Sequence, residues 1–373
     1  MLQLADPTHE HNSLRDTIEA AALRVLRSGQ YILGPEVDGF EKEFAEYCHA
    51  RCAVGVSNGS DAIVVALQAL GIGPGDEVIT TAFSYLATAS AIQRTGATPV
   101  FADIDLASFD LDPADVSRRV GPRTRAILAV HLFGRVADTD ALGTVAREHK
   151  LALVEDAAQA CGAERHGART GALGTVACFS FFPAKPFGAA GDGGACVTND
   201  PDLAATMKKI RVTGATAKNV HDLPGGNYRL DPLQAAILRA KLPHLEARLA
   251  RRRSNAETLR RGLEGSSSQV VLPGDDPAGR HVYAQFSVRH PRRDALQAAL
   301  KTRGVNSEIY YPLPMPYQKV FAALGHRVGE YPRAEQACRE VLSIPVHSEL
   351  SEADVSTVID AMRASVAEVE SRS

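Results

Sequence analysis

Beyond residue 98 the chain repeats one pattern: a short run that is apolar at nearly every position, a turn, then text with helical spacing. The runs are Pro99 to Ile104, Ala126 to Val130 and Leu151 to Glu155, and Leu142 to His149 is one of the helical stretches between them. Strands that are apolar throughout, rather than at alternate positions, are covered on both faces. Their alternation with helices predicts an α/β fold built on a mostly parallel sheet. In such sheets ligands gather beyond the carboxyl ends of the strands. Three polar residues stand at ends of this kind: His131, Asp156 and Lys185.

The text around Lys185 is the most distinctive. Thr175 to Phe182 reads as a buried strand of β-branched, aromatic and small residues. Lys185 follows just past its end, then Gly188, Gly191, Gly193 and Gly194, and a second apolar strand from Ala195 to Thr198. A lysine delivered by a buried strand and enclosed by glycines suits an amine that forms a Schiff base with an aldehyde cofactor. The backbone can then come close and the amine is partly desolvated. An ordinary loop lysine beside a tight turn fits the same text. Asp156 also has two readings: a carboxylate that keeps a pyridine nitrogen protonated, or the N-cap of a following helix. His131 reads as a packed strand-end histidine.

Upstream, a short strand from Ala53 to Val56 passes through Ser57-Asn58-Gly59-Ser60-Asp61 into helical text from Ala62 to Leu70. The unpaired N–H groups of that helix start and its dipole make a site for a phosphate, while Ser60 or Asp61 could equally act as a simple cap. Gly71-Ile72-Gly73-Pro74-Gly75 leads into a strand rather than a helix, so it is a turn and not a dinucleotide fingerprint. Ala82-Phe83-Ser84-Tyr85 puts aromatic rings at a strand end, where they serve either the core or a planar cofactor.

The remaining text sets the frame. Residues 13 to 28 and Glu36 to Cys48 are helical, with a solvated tip before them, and His9 and His11 lack the partners for a metal site. Thr213 to Gly226 is polar, expected to be mobile or ordered only against a partner. The basic run Arg248 to Arg253 is expected as a solvated face of a long helix joining two domains. A small α+β domain follows: strand His281 to Val288, helix Asp294 to Arg303, strand Val305 to Tyr311, and helices Ala334 to Leu342 and Glu352 to Glu368. The division expected is a large domain over 31–245 and a small one over 1–30 and 246–373. A net charge of −3 with mixed signs argues against a nucleic-acid partner. No apolar run is long enough to span a bilayer. With no leader-like start and no CxxC pair among six cysteines, a reduced cytoplasmic protein is expected.

Ser57-Asn58-Gly59-Ser60-Asp61, Glu155-Asp156-Ala157-Ala158-Gln159, Phe179-Ser180-Phe181-Phe182-Pro183-Ala184-Lys185 and Gly191-Asp192-Gly193-Gly194, in that order, resemble the DegT/DnrJ/EryC1/StrS family of sugar aminotransferases. Asn227-Tyr228-Arg229-Leu230 with Leu233-Gln234-Ala235-Ala236, and Tyr311-Pro312-Leu313-Pro314, extend the likeness to nearly the whole chain. The resemblance implies the fold type I (aspartate aminotransferase-like) architecture and pyridoxal 5′-phosphate as cofactor. It makes Lys185 the Schiff-base lysine and proton carrier, Asp156 the partner of the ring nitrogen, and Gln159 the neighbour of the phenolic oxygen. Gly59, Ser60 and Ser180 become the phosphate cradle and Phe83 the stacking ring. Asn227 reaches the neighbouring subunit's phosphate, so a homodimer with shared sites is implied.

The activity implied is transfer of an amino group from an amino acid, L-glutamate by family habit, to a nucleotide-linked 3-keto sugar. Lys185-Pro186-Phe187-Gly188 resembles members acting on UDP-linked sugars. A cyclitol ketone acceptor is the alternative, with a regulatory or dehydratase member behind it; Lys185 weighs against the dehydratase, which carries histidine there. Cys161 and Pro316 stand where the family often has histidine, at positions expected to meet the acceptor.

Overall fold

The computed structural model describes residues 1–274 and 276–371. Its centre is a seven-stranded sheet. From one edge to the other the strands are Cys52–Val56, Gly194–Thr198, Val176–Ser180, Ala152–Asp156, Thr124–Val130, Glu77–Thr81 and Thr98–Ala102. Gly194–Thr198 runs against both of its neighbours, and the other strands share one direction. Their carboxyl ends therefore meet along one rim, as the strand–helix alternation requires.

The continuous apolar runs are explained by cover on both faces. Ala177, Phe179 and Phe181 point to the helices Pro35–Tyr47 and Pro232–Lys241, packing with Phe40, Phe44 and Leu238. Val176 and Cys178 point the other way, to Ile63, Leu67 and Met207 of Gly59–Ala69 and Pro201–Ile210. Alternate residues of one strand thus feed two separate cores.

The small domain pairs Phe286–Arg289 with Val341–Ile344. The helix Leu245–Leu263 belongs to both bodies. Leu245 and Leu249 enter the large-domain core, and Ala256, Leu259 and Leu263 enter the small one.

The structure corrects several expectations. Arg15–Ser28 does not join the small domain: Ala21 and Val25 pack on Ala236 of the large domain, and it is Leu2 that reaches the small domain, bridging to Val305. The tip is folded, with Pro7–Ser13 a helix capped by Asp6, whose Oδ1 accepts from His9 N at 2.9 Å. Its Glu10 is buried and pairs with Lys241 at 2.7 Å and Arg248 at 3.2 Å. The basic run lies on the helix that feeds both cores, but it is not a solvated face. Arg252 is buried and donates to Tyr283 O at 3.2 Å, and Arg248 pairs with Glu349 at 2.9 Å. No strand forms over Val305 to Tyr311. Glu308 exchanges two backbone bonds with Ser343, and the prolines that follow cannot donate to a ladder. Ser343 lies on Val341–Ile344, a strand where helical text was expected to end. Thr213 to Gly226 carries a short exposed hairpin, Ala215–Ala217 with Val220–His221.

Candidate active site

Asp156 ends an interior strand, paired through its register with Cys178 of the next strand. It is 6% exposed. Its Oδ2 accepts from Thr88 Oγ1 at 2.7 Å and its Oδ1 from Ala158 N at 3.2 Å. Burial pushes the carboxyl up from its ordinary range. The Thr88 hydroxyl and the Ala158 amide oppose that, then the charges of Lys185 and His131.

Lys185 lies on the turn after Val176–Ser180, with its backbone N–H donating to Phe182 O at 2.8 Å. The turn is compact because Gly188 has no side chain: a Cβ there would sit 2.5 Å from Pro183 O. The half-buried Lys185 amine has no hydrogen-bond partner among the described residues. Burial holds it below the usual lysine range, and the Asp156 charge works against that. A desolvated amine facing a buried carboxylate has a larger free-base fraction at neutral pH than a surface lysine.

The helix start expected as a phosphate cradle takes a form the sequence left open. Asn58, rather than Ser60 or Asp61, caps the helix Gly59–Ala69, its Oδ1 accepting from Asp61 N at 2.9 Å. Asp61 is occupied with Ser57 and Arg94 at 2.6 and 2.7 Å. The amides of Gly59 and Ser60 consequently have no acceptor among the described residues, and they stand at the positive end of the helix. Ser180 closes the other side. A Cβ on Gly59 would lie 2.6 Å from Ser180 Cβ, so glycine lets the two segments meet.

Gln159 is oriented by the backbone. Its Oε1 accepts from Phe133 N at 2.6 Å, which leaves Nε2 to donate to Tyr311 Oη at 3.3 Å. His131 is fully buried; its Nδ1 accepts from Ala137 N at 3.1 Å, so Nε2 carries the proton toward Glu155 at 3.0 Å. That matches the packed histidine expected.

Phe83 does not match. It is 1% exposed, in contact with Phe109, Phe133 and Tyr311 at 5.7, 6.5 and 6.1 Å between ring centres, and has no free face to stack on a cofactor. The exposed ring of that turn is Tyr85, at 62%, 6.2 Å from Tyr311. Cys161 and Pro316 are both buried, Cys161 in the core around Phe44, so neither is presented to an acceptor. Asn227 is exposed on the rim, and the next residue accepts Ser57 N at 2.9 Å through its carbonyl. The sequence offers Tyr85 only together with Phe83, as rings for the core or a planar cofactor, and it does not single out Thr88, which contacts Asp156.

Free amides at a helix start, a hydroxyl opposite them, an unpartnered amine and a buried carboxylate fit the phosphate, aldehyde and ring nitrogen of pyridoxal phosphate. The sequence profile of the DegT/DnrJ/EryC1/StrS aminotransferase family matches residues 12–363. The chain belongs to this family. Among its relatives, a pleiotropic regulatory protein of Geobacillus stearothermophilus is 46% identical over 358 residues, 96% of each chain. The dTDP-3-amino-3,4,6-trideoxy-alpha-D-glucose transaminase of Streptomyces venezuelae is 46% identical over 353 residues, 95% of this chain and 93% of that one. S. venezuelae DesV, solved in complex with a ketimine intermediate, superposes with a TM-score of 0.95 at 45% identity, covering 97% of this chain and 98% of its own. Family members use pyridoxal phosphate, and Bacillus subtilis NtdA (27% identical) has been solved with the bound cofactor PMP.

Proposed function

We propose that the chain transfers an amino group from L-glutamate to the ketone of a nucleotide-linked 3-keto sugar. The observation that carries this is the Lys185 amine, unpartnered among the described residues, desolvated and within electrostatic reach of the buried Asp156 carboxylate. The match to sugar transaminases supports the acceptor class.

When bound, pyridoxal phosphate supplies an aldehyde for an amine and a ring that withdraws electrons from the adjacent carbon. Lys185 Nζ would hold the cofactor, and its amine would take up and return the proton at the reacting carbon. Asp156 keeps a proton on the ring nitrogen. The Gly59 and Ser60 amides and the Ser180 hydroxyl bind the phosphate. Gln159 Nε2, aimed by Phe133, would serve the phenolic oxygen, and Tyr85 rather than Phe83 would offer a ring to the cofactor.

Exposed Tyr31, Ile32, Phe182 and Leu223 support a homodimer in which Asn227 completes the partner's cradle. The cytoplasm, where thiols such as buried Cys178 and Cys196 stay reduced, is the setting this reading takes.

The test is to incubate wild type and Lys185→Ala with glutamate and a panel of dTDP- and UDP-linked 3-keto sugars and cyclitol ketones. Visible cofactor absorbance and amine products by mass are then read. The proposal expects both signals in wild type and neither in the variant. Amination confined to cyclitols would replace the acceptor, and a variant as active as wild type would overturn the role of Lys185.

A further inference from the structure

We propose that Thr88 is a positioning residue for Asp156, its hydroxyl holding one carboxylate oxygen in place and favouring the charged carboxylate. The proposal rests on the reading that Asp156 serves a ring nitrogen.

Thr88 is 1% exposed and sits in the first turn of the helix Ala87–Arg94, whose start has no side-chain cap. A threonine there ordinarily bonds to its own backbone. Here its hydroxyl instead reaches Asp156 Oδ2 at 2.7 Å, across 68 residues. A second hydroxyl, Ser84 Oγ, buried at 5%, lies 3.3 Å from Thr88 Oγ1.

A hydroxyl has one proton to give and two lone pairs. With Asp156 ionised, the Thr88 proton goes to Oδ2 and Ser84 donates to Thr88, so the chain of bonds has one direction. Protonating Asp156 on Oδ2 would force the chain to reverse. The arrangement therefore favours the charged carboxylate, the form that attracts a protonated ring nitrogen. Each oxygen of Asp156 takes one bond, Oδ2 from Thr88 and Oδ1 a longer one from Ala158, so losing the Thr88 hydroxyl leaves Oδ2 without its partner.

The same turn carries Tyr85, whose carbonyl accepts Thr88 N at 3.2 Å. A purely structural role for Thr88 would thus act through Tyr85 and the fold. Other groups also face Asp156. Lys185 and His131 pull toward the charged form, while Tyr311, Cys178 and the adjoining Glu155 share the surroundings. None of them is changed by a substitution at position 88, so a shift in pH response can be assigned to the lost hydroxyl.

The experiment titrates pyridoxal phosphate into cofactor-free wild type, Thr88→Val and Thr88→Ser between pH 5 and 9. It reads the visible absorbance of the lysine-bound cofactor, with thermal melts in parallel. A hydrogen bond to a charged group predicts cofactor binding about 10- to 100-fold weaker in Thr88→Val. The acid limb of binding should move toward neutral pH by roughly one pH unit, because the lost bond no longer favours ionised Asp156. Thr88→Ser should restore both to within about threefold.

A Thr88→Val that melts lower yet binds cofactor with wild-type affinity and an unmoved acid limb overturns the proposal, as does failure of serine to rescue. Should Thr88→Val not fold, Thr88→Cys, a weaker donor, is expected between serine and wild type on one side and full loss on the other; wild-type behaviour there overturns it too. Wild type that takes up no cofactor sinks both this proposal and the functional reading. Wild type that binds while Thr88→Val binds equally well sinks this one alone.

Discussion

Replacing Glu10 by alanine removes a buried carboxylate that ties the N-terminal helix, through Lys241, to the turn carrying Lys185. Glu10 is 6% exposed, 2.7 Å from Lys241 Nζ and 3.2 Å from Arg248 Nη2. Lys241, also 6% exposed, donates in addition to Gly188 O, three residues past Lys185. Arg248 keeps Glu349 at 2.9 Å in the variant, so the uncompensated charge falls on Lys241. Deleting one partner of a buried pair costs about 3–5 kcal/mol. For 373 residues, at about 2.1 cal/mol/K of unfolding entropy each, the melting midpoint drops by roughly 4–6 °C.

The pH dependence has a sign. Burial already holds the Lys241 amine below its ordinary 10.5, and Glu10 is the main group opposing that. Without Glu10 the folded amine gives up its proton more easily than the unfolded one. The deficit of Glu10→Ala against wild type is therefore full near neutral pH and shrinks as pH rises toward 10.5. Calorimetric melts at pH 7 and 9 check both statements. Adding Lys241→Met to Glu10→Ala should recover about 1–3 kcal/mol relative to the sum of the two single changes. A midpoint within about 1 °C of wild type at pH 7, or a deficit that grows with pH, would refute the reasoning.

Three further outcomes follow from the site and its surroundings. Gly59→Ala places a Cβ 2.6 Å from Ser180 Cβ; it should cost about 1–3 kcal/mol of stability and weaken cofactor uptake roughly 10-fold or more by closing the anion cradle, read by melts and by absorbance titration. Tyr85→Ala should weaken cofactor binding by about 2- to 10-fold through the lost ring contact, whereas Phe83→Leu, a core change, should lower the melting midpoint and leave binding almost untouched; the reverse pattern returns the stacking role to Phe83. Burial, with Oδ1 unpartnered and Asp276 adding like charge, pushes Asp110 up to about 7 despite Arg135 Nε at 3.1 Å. Its folded carboxyl is thus raised above the unfolded 3.8, and the stability it adds is present below that value and lost as pH climbs through about 7. Denaturant melts should show Asp110→Asn losing less stability than wild type between pH 5 and 8; a steeper loss contradicts the sign.

What could be read from the sequence is what local text decides. Continuous apolar runs announce strands covered on both faces, and Asp156 and Lys185 follow from standing at their ends. Partners far along the chain were not legible. Proline, threonine and two histidines around Glu10 read as a wet tip, because the cations that draw Glu10 inside lie on helices beyond residue 231. Thr88 drew no reading from the sequence because its acceptor is 68 residues away. The division between Phe83 and Tyr85 was hidden for another reason. Past Thr81 the chain leaves the sheet, so strand alternation no longer says which ring faces inward.

The separation of Asp156 from Lys185 is itself a consequence of strand register. Asp156 is opposite Cys178, and Cys178 must point to the same core as Val176 while Phe179 and Phe181 fill the other. A slip of one residue would drive Phe179 and Phe181 out of the edge-to-face contacts they make with Phe44 at 5.1 and 5.3 Å, and would bring polar Ser180 into that core. Each buried ring contributes about 1.5–3 kcal/mol of transfer free energy, more than the net of about 0.5–1.5 kcal/mol of a neutral hydrogen bond. The aromatic core therefore fixes the register. The register then sets where Ser180 meets Gly59, and where the turn beyond it delivers the amine to the carboxylate.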